Sequence, residues 1–217
     1  MRINKYLADQ NICSRREADR LIEEGKITIN GRPAQLGDQV SETDIVEVGD
    51  IEKKYRYYAY YKPRGIITHS PQGEEISIQE LTGLPKDVFP VGRLDKDSYG
   101  LIILTNDGRV TKHLLEPKRE LEKEYLVQIN KPVSQRLIQN LINGVVLDDG
   151  YKTKECSVKK ADTNALRIIL TEGKNRQIRR MLDALGYKVT ELMRVRVGAV
   201  EIEDLAPGEF RKIKRPF

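Results

Sequence analysis

The sequence has little cysteine, little histidine and no tryptophan. Its two cysteines, Cys13 and Cys156, are too few for the disulfide framework of a small secreted protein. Its two histidines, His69 and His113, do not stand at a spacing typical of a structural zinc site. These shortages disfavour metal and redox chemistry, so we expect no metal ion in the protein.

The sequence also lacks any apolar run near the roughly 20 residues that a membrane helix needs. The N-terminal residues MRINKYLADQ contain no apolar core of a signal peptide. We therefore expect a soluble, cytoplasmic protein that makes no contact with membranes. The 217 residues, 39% hydrophobic and 33% charged, are enough for one full domain with its own core plus a small module.

The basic residues are clustered, although the net charge is only +5. Three of them, Arg15, Arg16 and Arg20, lie on or beside one predicted helix near the N-terminus. A cluster of this kind can bind phosphate groups, but it can equally be a solvated helix face. Charge alone leaves both interpretations open.

Local signals predict the secondary structure of residues 1–50. Ser14 and Glu17 fit a capping box at the start of a helix, and Gly25 is placed to end that helix. The dipeptide Asn30-Gly31 follows alternating apolar residues and predicts a β-hairpin. With a shorter helix before them, these elements predict a compact helix, helix, hairpin unit.

The stretch RINKYLADQNICSRREADRLIEEGKITINGRPAQLGDQV closely resembles the S4 RNA-binding module, over about residues 1–50. One departure is Asn11, where a glycine is usual, and it indicates a somewhat different connection between the two helices. The resemblance implies that four basic side chains bind structured RNA through its backbone. They are Arg15, Arg16, Lys26 and Arg32.

A charged stretch without periodicity, residues 50–54, predicts a linker after this module. We therefore expect an S4 domain over residues 1–54 and a second domain over residues 55–217. In the second domain, strand patterns alternate with helix patterns, which predicts an α+β fold built on a mixed sheet. The predicted strands cover residues 57–61, 101–105, 124–130, 154–160, 165–171 and 197–202.

The clearest predicted helix runs from Arg176 to Leu185, because its apolar residues recur at helical spacing and Gly186 follows as a stop signal. At about 100° per residue, Arg176 and Arg180 point away from the apolar stripe and are free to meet solvent or phosphate. Arg179 falls at the flank of the stripe, where it can reach a half-buried carboxylate.

Residues 92–100, GRLDKDSYG, place two carboxylates just before the apolar run 101–105. A turn that enters a buried strand can hold a carboxylate rigid and partly desolvated, as a nucleophile or general base requires. Aspartate and glycine are also ordinary turn formers, so the pattern alone leaves a structural role open.

The stretch GRLDKDSYGLIILTNDG closely resembles the catalytic motif of the pseudouridine synthases of the RsuA/RluB/RluE/RluF type. Residues 62–65, 123–127 and 172–182 agree with the same family in type and order. Residues 125–127 and 153–160 are most similar to the RluF branch, which acts on the large ribosomal subunit. The resemblance implies a mixed, largely antiparallel catalytic sheet. It also implies site-specific isomerisation of uridine to pseudouridine in ribosomal RNA, with 23S rRNA as the expected target.

The family implies a role for five residues of this sequence. Asp95 would be the nucleophile, and Arg179 would form the ion pair that holds its carboxylate. Tyr125 would stack on the target uracil, and Leu192 would pack on the other side of the base. Arg93 would take the place of the extracted base in the RNA stack, because the chemistry requires the nucleotide to be flipped out.

The resemblance implies an RNA partner and no cofactor. We expect a monomer whose substrate is ribosomal RNA of the large subunit or its precursor, with tRNA as a second candidate. Arg176 and Arg180 are expected to bind the RNA from the catalytic side. Members of the family can carry basic extensions after the last strand. Since this sequence ends at Phe217, we expect RNA selection to depend on the S4 module and the catalytic face.

Two other classes of function fit parts of the sequence. A non-catalytic RNA-binding factor of ribosome assembly would need only the S4 module and the basic helix. A glycoside hydrolase acting on nucleic acid would need a second catalytic carboxylate opposite the first. The combination of Asp95, Tyr125 and Arg179 favours the synthase, because a binding module does not need that set.

Overall fold

The computed structural model describes residues 1–10, 12–49 and 54–216. The departure at Asn11 and most of the predicted linker, residues 50–53, lie outside the described residues. None of the helices within the described ranges is long and apolar enough to span a membrane.

The N-terminal unit contains two helices and a small antiparallel sheet, as the sequence predicts. The helices are α1 (Ile3–Asp9) and α2 (Arg15–Glu23). The strands β1 (Ile27–Ile29), β2 (Arg32–Pro33) and β3 (Val46–Val48) form a sheet with the order β2-β1-β3. The helices and strands enclose their own apolar core, which includes buried residues from both helices.

Backbone chemistry explains where these elements begin and end. The Ser14 hydroxyl accepts a hydrogen bond of 3.2 Å from the Glu17 amide at the start of α2. Gly25 follows the helix with a φ of +68°. Asn30 and Gly31 both have positive φ, +52° and +80°, which is the conformation that a two-residue hairpin turn requires. The predicted start and hairpin are therefore confirmed.

The second unit is built on one nine-stranded sheet. The strands follow the order β12-β4-β6-β10-β7-β9-β8, with β5 paired to β6 and β11 paired to β10. Their bounds are β4 (Tyr57–Lys62), β5 (Phe89–Val91), β6 (Tyr99–Thr105), β7 (Lys123–Ile129), β8 (Ser157–Asp162), β9 (Ala165–Leu170), β10 (Val189–Val197), β11 (Val200–Glu201) and β12 (Phe210–Lys212). Strands β6 and β10 pair in parallel, and the other pairs of described strands are antiparallel. The predicted mixed, largely antiparallel sheet is confirmed.

Within the described part of the chain, four α-helices accompany this sheet, and two of them contribute to its main apolar core. They are α3 (Ile78–Thr82), α4 (Gly108–Leu115), α5 (Gln135–Ile142) and α6 (Gln177–Ala184). Apolar residues of α5 and α6 join those of β7, β9 and β10 in one buried cluster. The periodicity of the sequence predicts α6 to within one residue at each end.

The structure corrects two strand predictions. The last strand was expected over residues 197–202, but β10 already begins at Val189 and occupies the centre of the sheet between β6 and β7. The strand expected from Lys154 begins at Ser157, because the Lys154 amide donates 3.0 Å to the Glu172 carboxylate instead of joining a strand ladder.

The two units touch where α2 begins. A Cβ atom added at Gly108, the first residue of α4, would lie 2.3 Å from the Cβ of Ser14. On the same helix, Lys112 Nζ lies 3.8 Å from the Asp9 carboxylate and donates 3.4 Å to the Ala8 carbonyl. The close contact between Gly108 and the Ser14 side chain therefore packs the N-terminal unit against α4.

Candidate active site

Five of the predicted site residues meet at one cavity of about 680 Å³. The cavity lies between the loop 92–98, the strands β7 and β10, and the segment that leads into α6. Its volume falls within the range of roughly 300–1,000 Å³ that is usual for ligand pockets. The five residues are Arg93, Asp95, Tyr125, Arg176 and Leu192.

The loop 92–98, hereafter the aspartate loop, is held in place by hydrogen bonds. The Ser98 amide donates 3.0 Å to the Asp95 carbonyl and closes a turn over residues 95–98. The Thr68 hydroxyl donates 2.8 Å to the Leu94 carbonyl and accepts 3.2 Å from the Leu94 amide. These bonds restrict the backbone on both sides of Leu94, so the direction in which the Asp95 side chain projects from the loop is defined.

A buried lysine, Lys62, also holds the aspartate loop through a hydrogen bond to its backbone. Lys62 is fully buried, and its ammonium group donates 2.7 Å to the Ser98 carbonyl and 2.9 Å to the Pro63 carbonyl. Burial lowers the pKa of Lys62 to about 8, although the nearby carboxylates Asp95 and Asp97 act in the opposite direction. In the sequence, Lys62 stands out only as part of the stretch 62–65 that agrees with the family, so this support was not predicted.

Asp95 has a different arginine partner from the one predicted. Its carboxylate lies 3.6 Å from Arg176 Nη1, and both side chains are partly exposed, at 33% and 45%. Arg176 stands just before α6 with a left-handed backbone, φ +47°, so its side chain does not follow the helix. Because both side chains are partly exposed, Arg176 reaches Asp95 from the solvent side of the cavity, which is its mouth.

Arg179 contacts the backbone of the aspartate loop and not the Asp95 carboxylate. Its Nη2 donates 3.4 Å to the Asp97 carbonyl and 3.4 Å to the Ser98 hydroxyl. Burial lowers the pKa of the Arg179 guanidinium and the charge of Arg176 lowers it further, while Asp95 raises it. The predicted Arg179–Asp95 ion pair is absent among the described residues, because the guanidinium is used to hold the loop.

Tyr125 and Leu192 provide the apolar surfaces of the cavity. Leu192 pairs with Val127 in the β7–β10 ladder, and Tyr125 pairs with Arg194 two residues further along. Side chains at these positions point to the same face of the sheet, since strand residues alternate between faces. Leu192 is only 6% exposed. A flat ring inserted here would contact both side chains.

Arg194 is a cavity residue that sequence reasoning missed. It is 5% exposed, lines the cavity and donates 2.7 Å from Nε to the Leu101 carbonyl. Its backbone lies so close to Gly100 that a Cβ at position 100 would be 2.3 Å from the Arg194 carbonyl. Gly100 also has a φ of +103°, so the second glycine of the motif is required for this approach. If β10 had been predicted as a strand, the spacing of two residues would have placed Arg194 on the same face of the sheet as Leu192.

Arg180 is not available in the way that the helical wheel suggests. Its guanidinium forms ion pairs with Asp148 and with Asp149, the latter at 2.8 Å. Arg180 is therefore not free in the unbound protein, because a loop distant in sequence supplies both carboxylates.

The predicted RNA-binding residues of the N-terminal unit divide into two pairs. Arg15 and Arg16 are exposed, and no ion pair or hydrogen bond of their side chains is recorded within the described ranges. Lys26 and Arg32 each form an ion pair of 2.9 Å with a carboxylate of the same unit. Arg15 and Arg16 are therefore the more accessible cations for a phosphate backbone.

A fixed carboxylate, an aromatic ring and three arginines line one cavity, a set that a simple binding module does not need. Residues 56–184 match the RNA pseudouridylate synthase family, and residues 1–46 match the S4 domain. The chain belongs to the RNA pseudouridylate synthase family and carries an S4 domain in front of the synthase domain.

Named relatives and a solved structure agree with this membership. The dual-specificity RNA pseudouridine synthase RluF of Salmonella typhi is 44% identical over 218 residues, which cover 98% of this chain and 75% of the relative. The ribosomal large subunit pseudouridine synthase B of Bacillus subtilis (strain 168) is 34% identical over 223 residues, covering 98% of this chain and 91% of the relative. A crystal structure of a pseudouridylate synthase superposes with a TM-score of 0.74 at 29% identity, covering 99% of this chain and 96% of the other.

Proposed function

We propose that this RNA pseudouridine synthase acts on specific uridines of ribosomal RNA, and of the large subunit in particular. The observation that carries the proposal is the position of Asp95 on an anchored loop, inside a cavity that also presents Tyr125 and Leu192. The rRNA target is supported by the S4 domain and by the relative named as a large subunit synthase.

The substrate base must leave the RNA stack before it can reach the cavity. A uridine in folded RNA is stacked, and enzymes that modify such a base extrude the nucleotide into a pocket. Arg93 is exposed at the cavity mouth, where its side chain can insert into the space left by the base. We assign Arg93 to this role because stacking of a planar guanidinium on neighbouring bases offsets the lost contacts.

Asp95 is the group that acts on the flipped nucleotide. Arg176 lies 3.6 Å from its carboxylate, and Arg179 fixes the loop through the Asp97 carbonyl. A carboxylate held in place in this way acts as nucleophile at the sugar C1′ or as base at C2′–H. Either step breaks the bond between C1′ and the uracil N1.

Tyr125 and Leu192 retain the base once it is detached. The uracil ring must rotate so that C5 faces C1′ before the new carbon–carbon bond forms. Two apolar surfaces on one face of the sheet confine the ring without fixing its orientation in the plane. This pair therefore permits rotation and prevents loss of the base to solvent.

The RNA contacts extend from the catalytic cavity to the S4 domain, with the domain boundary at residues 54/55. Arg15 and Arg16 supply free positive charge, and Arg176 adds a cation at the cavity mouth. Lys26 and Arg32 would exchange their intramolecular carboxylates for phosphates on binding. Arg180 is paired in the same way with Asp148 and Asp149 and would also exchange these carboxylates for phosphates.

The test is pseudouridine-specific chemical labelling with primer extension on 16S and 23S transcripts, on ribosomal precursors and on tRNA. We expect a stop at a defined uridine of 23S rRNA with the wild type and no stop with Asp95→Asn. Asp183→Asn, which alters an exposed carboxylate on α6, is the matched control and should retain the stop. Binding to RNA without any stop would favour the assembly-factor alternative, and a stop confined to 16S or tRNA would contradict the large-subunit target.

A further inference from the structure

Arg194 is a buried cation that faces the cavity without an anionic partner. Only 5% of the residue is exposed, and its recorded acceptors are two backbone carbonyls, Leu101 at 2.7 Å and Arg93 at 3.5 Å. No ion pair with a carboxylate and no hydrogen bond of Nη2 is recorded for it among the described residues. Asp95, the nearby carboxylate of the cavity, is paired with Arg176 at the mouth.

A guanidinium in this position makes the floor of the cavity electropositive. Burying a charge is costly unless an opposite charge or strong hydrogen bonds compensate it. The charge of Arg194 contributes to the lowered pKa of two neighbouring lysines, Lys62 and Lys123, for which burial is the larger cause. The floor of the cavity is therefore prepared to receive negative charge.

We infer that Arg194 is a catalytic residue that stabilises the uracil anion released when the glycosidic bond breaks. The inference rests on the proposed function. Arg194 pairs with Tyr125 across the β7–β10 ladder and follows Leu192 by two residues on the same face. A uracil ring between Tyr125 and Leu192 thus presents its edge, with its carbonyl oxygens, to the guanidinium.

The charge arises in the step that the cavity must support. Heterolysis of the N1–C1′ bond leaves the electron pair on N1, and the charge spreads to the O2 and O4 oxygens of the ring. After rotation, C5 uses the electrons of this anion to form the bond to C1′. The C5 proton is then lost, and N1 gains a proton, so that the product is an isomer of the substrate. A preorganised cation stabilises this intermediate most, because the charge is fully developed there.

A phosphate ligand for Arg194 fits the structure less well. Phosphates remain in the RNA backbone outside the cavity, where Arg93 and Arg176 are exposed. Arg194 lies beneath them and is almost fully buried. The flipped base is the part of the substrate that reaches this depth.

The experiment compares uridine with 5-fluorouridine at the target position under single-turnover conditions. Fluorine withdraws electrons and stabilises the uracil anion, so cleavage of its glycosidic bond depends less on Arg194. We expect Arg194→Gln to slow cleavage of the N1–C1′ bond of uridine roughly 10²–10³-fold, as for loss of one oxyanion donor, and cleavage of the same bond in 5-fluorouridine clearly less. Cleavage is followed as loss of the intact nucleoside after digestion of the RNA, because the fluorinated C5 has no proton to lose and so cannot complete the isomerisation. The dissociation constant of the RNA should stay within about twofold, since a contact that strengthens only when charge develops on the base contributes little to ground-state binding.

Two further variants keep the result interpretable. Arg194→Lys retains the positive charge but not the planar set of N–H donors, so its rate and its difference between the two substrates should lie between those of the wild type and Arg194→Gln. The lysine variant also tests the role of the charge if the glutamine variant does not fold. Arg211→Gln, on β12 and paired with Glu203, is the control and should match the wild type.

Equal losses on both substrates, or a loss confined to RNA affinity, would overturn the role of Arg194 while leaving the proposed function intact. A wild-type protein that converts no uridine in any of the tested RNAs would overturn both.

Discussion

The buried ammonium group of Lys62 donates a 2.7 Å hydrogen bond to the carbonyl of Ser98. This contact joins β4, the first strand of the catalytic sheet, to the end of the loop that carries Asp95. A charged donor inside the protein makes a stronger bond than a neutral one, but the charge must be desolvated. The position of the loop that carries Asp95 is thus stabilised by a group whose protonation depends on pH.

The first prediction concerns this pH dependence. The pKa of Lys62 is about 8 in the folded protein and 10.5 in the unfolded chain. Between these values the unfolded chain binds more protons, so the contribution of Lys62 to the free energy of unfolding rises with pH, by at most about 3 kcal/mol. Below pH 8 Lys62 is charged in the folded protein, so the full free-energy cost of burying its charge is present.

Urea denaturation of the wild type and Lys62→Met at pH 8 and pH 10.5 checks this sign. The difference in free energy of unfolding, wild type minus variant, should increase with pH. Burial raises the pKa of Tyr57 and Tyr60 to about 12, and these groups act in the opposite direction above pH 10, but they are common to both proteins. A difference that is flat or falls with pH would contradict the account.

The second prediction separates the two arginines near Asp95. Arg176→Gln removes a partly exposed ion pair, so it should cost less than about 1 kcal/mol of stability. It should nevertheless slow single-turnover conversion about tenfold or more, because the reacting carboxylate loses its cation. Arg179→Gln removes a half-buried anchor of the loop and should lower both the melting temperature and the rate. The result to watch is an Arg176 variant as unstable as the Arg179 variant, which would reverse these assignments.

The third prediction concerns the contact between the two units. Gly108→Ala would bring a Cβ to 2.3 Å from Ser14 Cβ, which forces the S4 domain away from α4. Alanine is otherwise favourable in a helix, so the synthase domain itself should remain folded. We expect weaker binding to long structured RNA and a larger radius of gyration in solution scattering. Asn140→Ala, at an exposed position of α5 away from the cavity, is the control. Unchanged scattering and affinity would show that the contact is not needed.

The fourth prediction concerns salt. Log affinity falls with log salt concentration. Each phosphate that the protein contacts makes this slope steeper by roughly 0.7 to 0.9, depending on whether the nucleic acid is single- or double-stranded. The double variant Arg15→Gln and Arg16→Gln should therefore bind more weakly at low salt and show a shallower slope. The double variant Lys26→Gln and Arg32→Gln should change the slope less, because both cations already have carboxylate partners. A wild-type affinity that is independent of salt would contradict a phosphate-based interface.

The sequence predicts the elements whose signals are local. Ser14 and Gly25 mark α2, and the apolar spacing from Ile178 to Leu182 marks α6. Strand β10 escaped prediction because Glu191, Arg194 and Arg196 interrupt its apolar pattern. In the fold, Arg194 is nevertheless buried at the cavity, so a charged residue occupies a position that the pattern of a buried strand would assign to an apolar one.

The side-chain partners of the site could be predicted only in part. The motif placed Asp95 and Tyr125 correctly at the cavity. A helical wheel could not show that Arg176 stands before α6 in a left-handed conformation and so reaches Asp95. Nor could it show that Asp148, far away in sequence, pairs with Arg180. These contacts depend on tertiary structure, which local periodicity does not encode.

The measurement that tests the central claim most directly uses 23S rRNA with tritium at C5 of uridine. Isomerisation replaces the C5–H bond by the C5–C1′ bond, so each converted uridine releases its tritium to water. We predict release that stops at a fixed, small number of sites per RNA with the wild type, and release at least about 10³-fold slower with Asp95→Asn, because the acting carboxylate is gone. Equal release by both proteins, or none by either, would contradict the assignment of Asp95 as the reactive group of this enzyme.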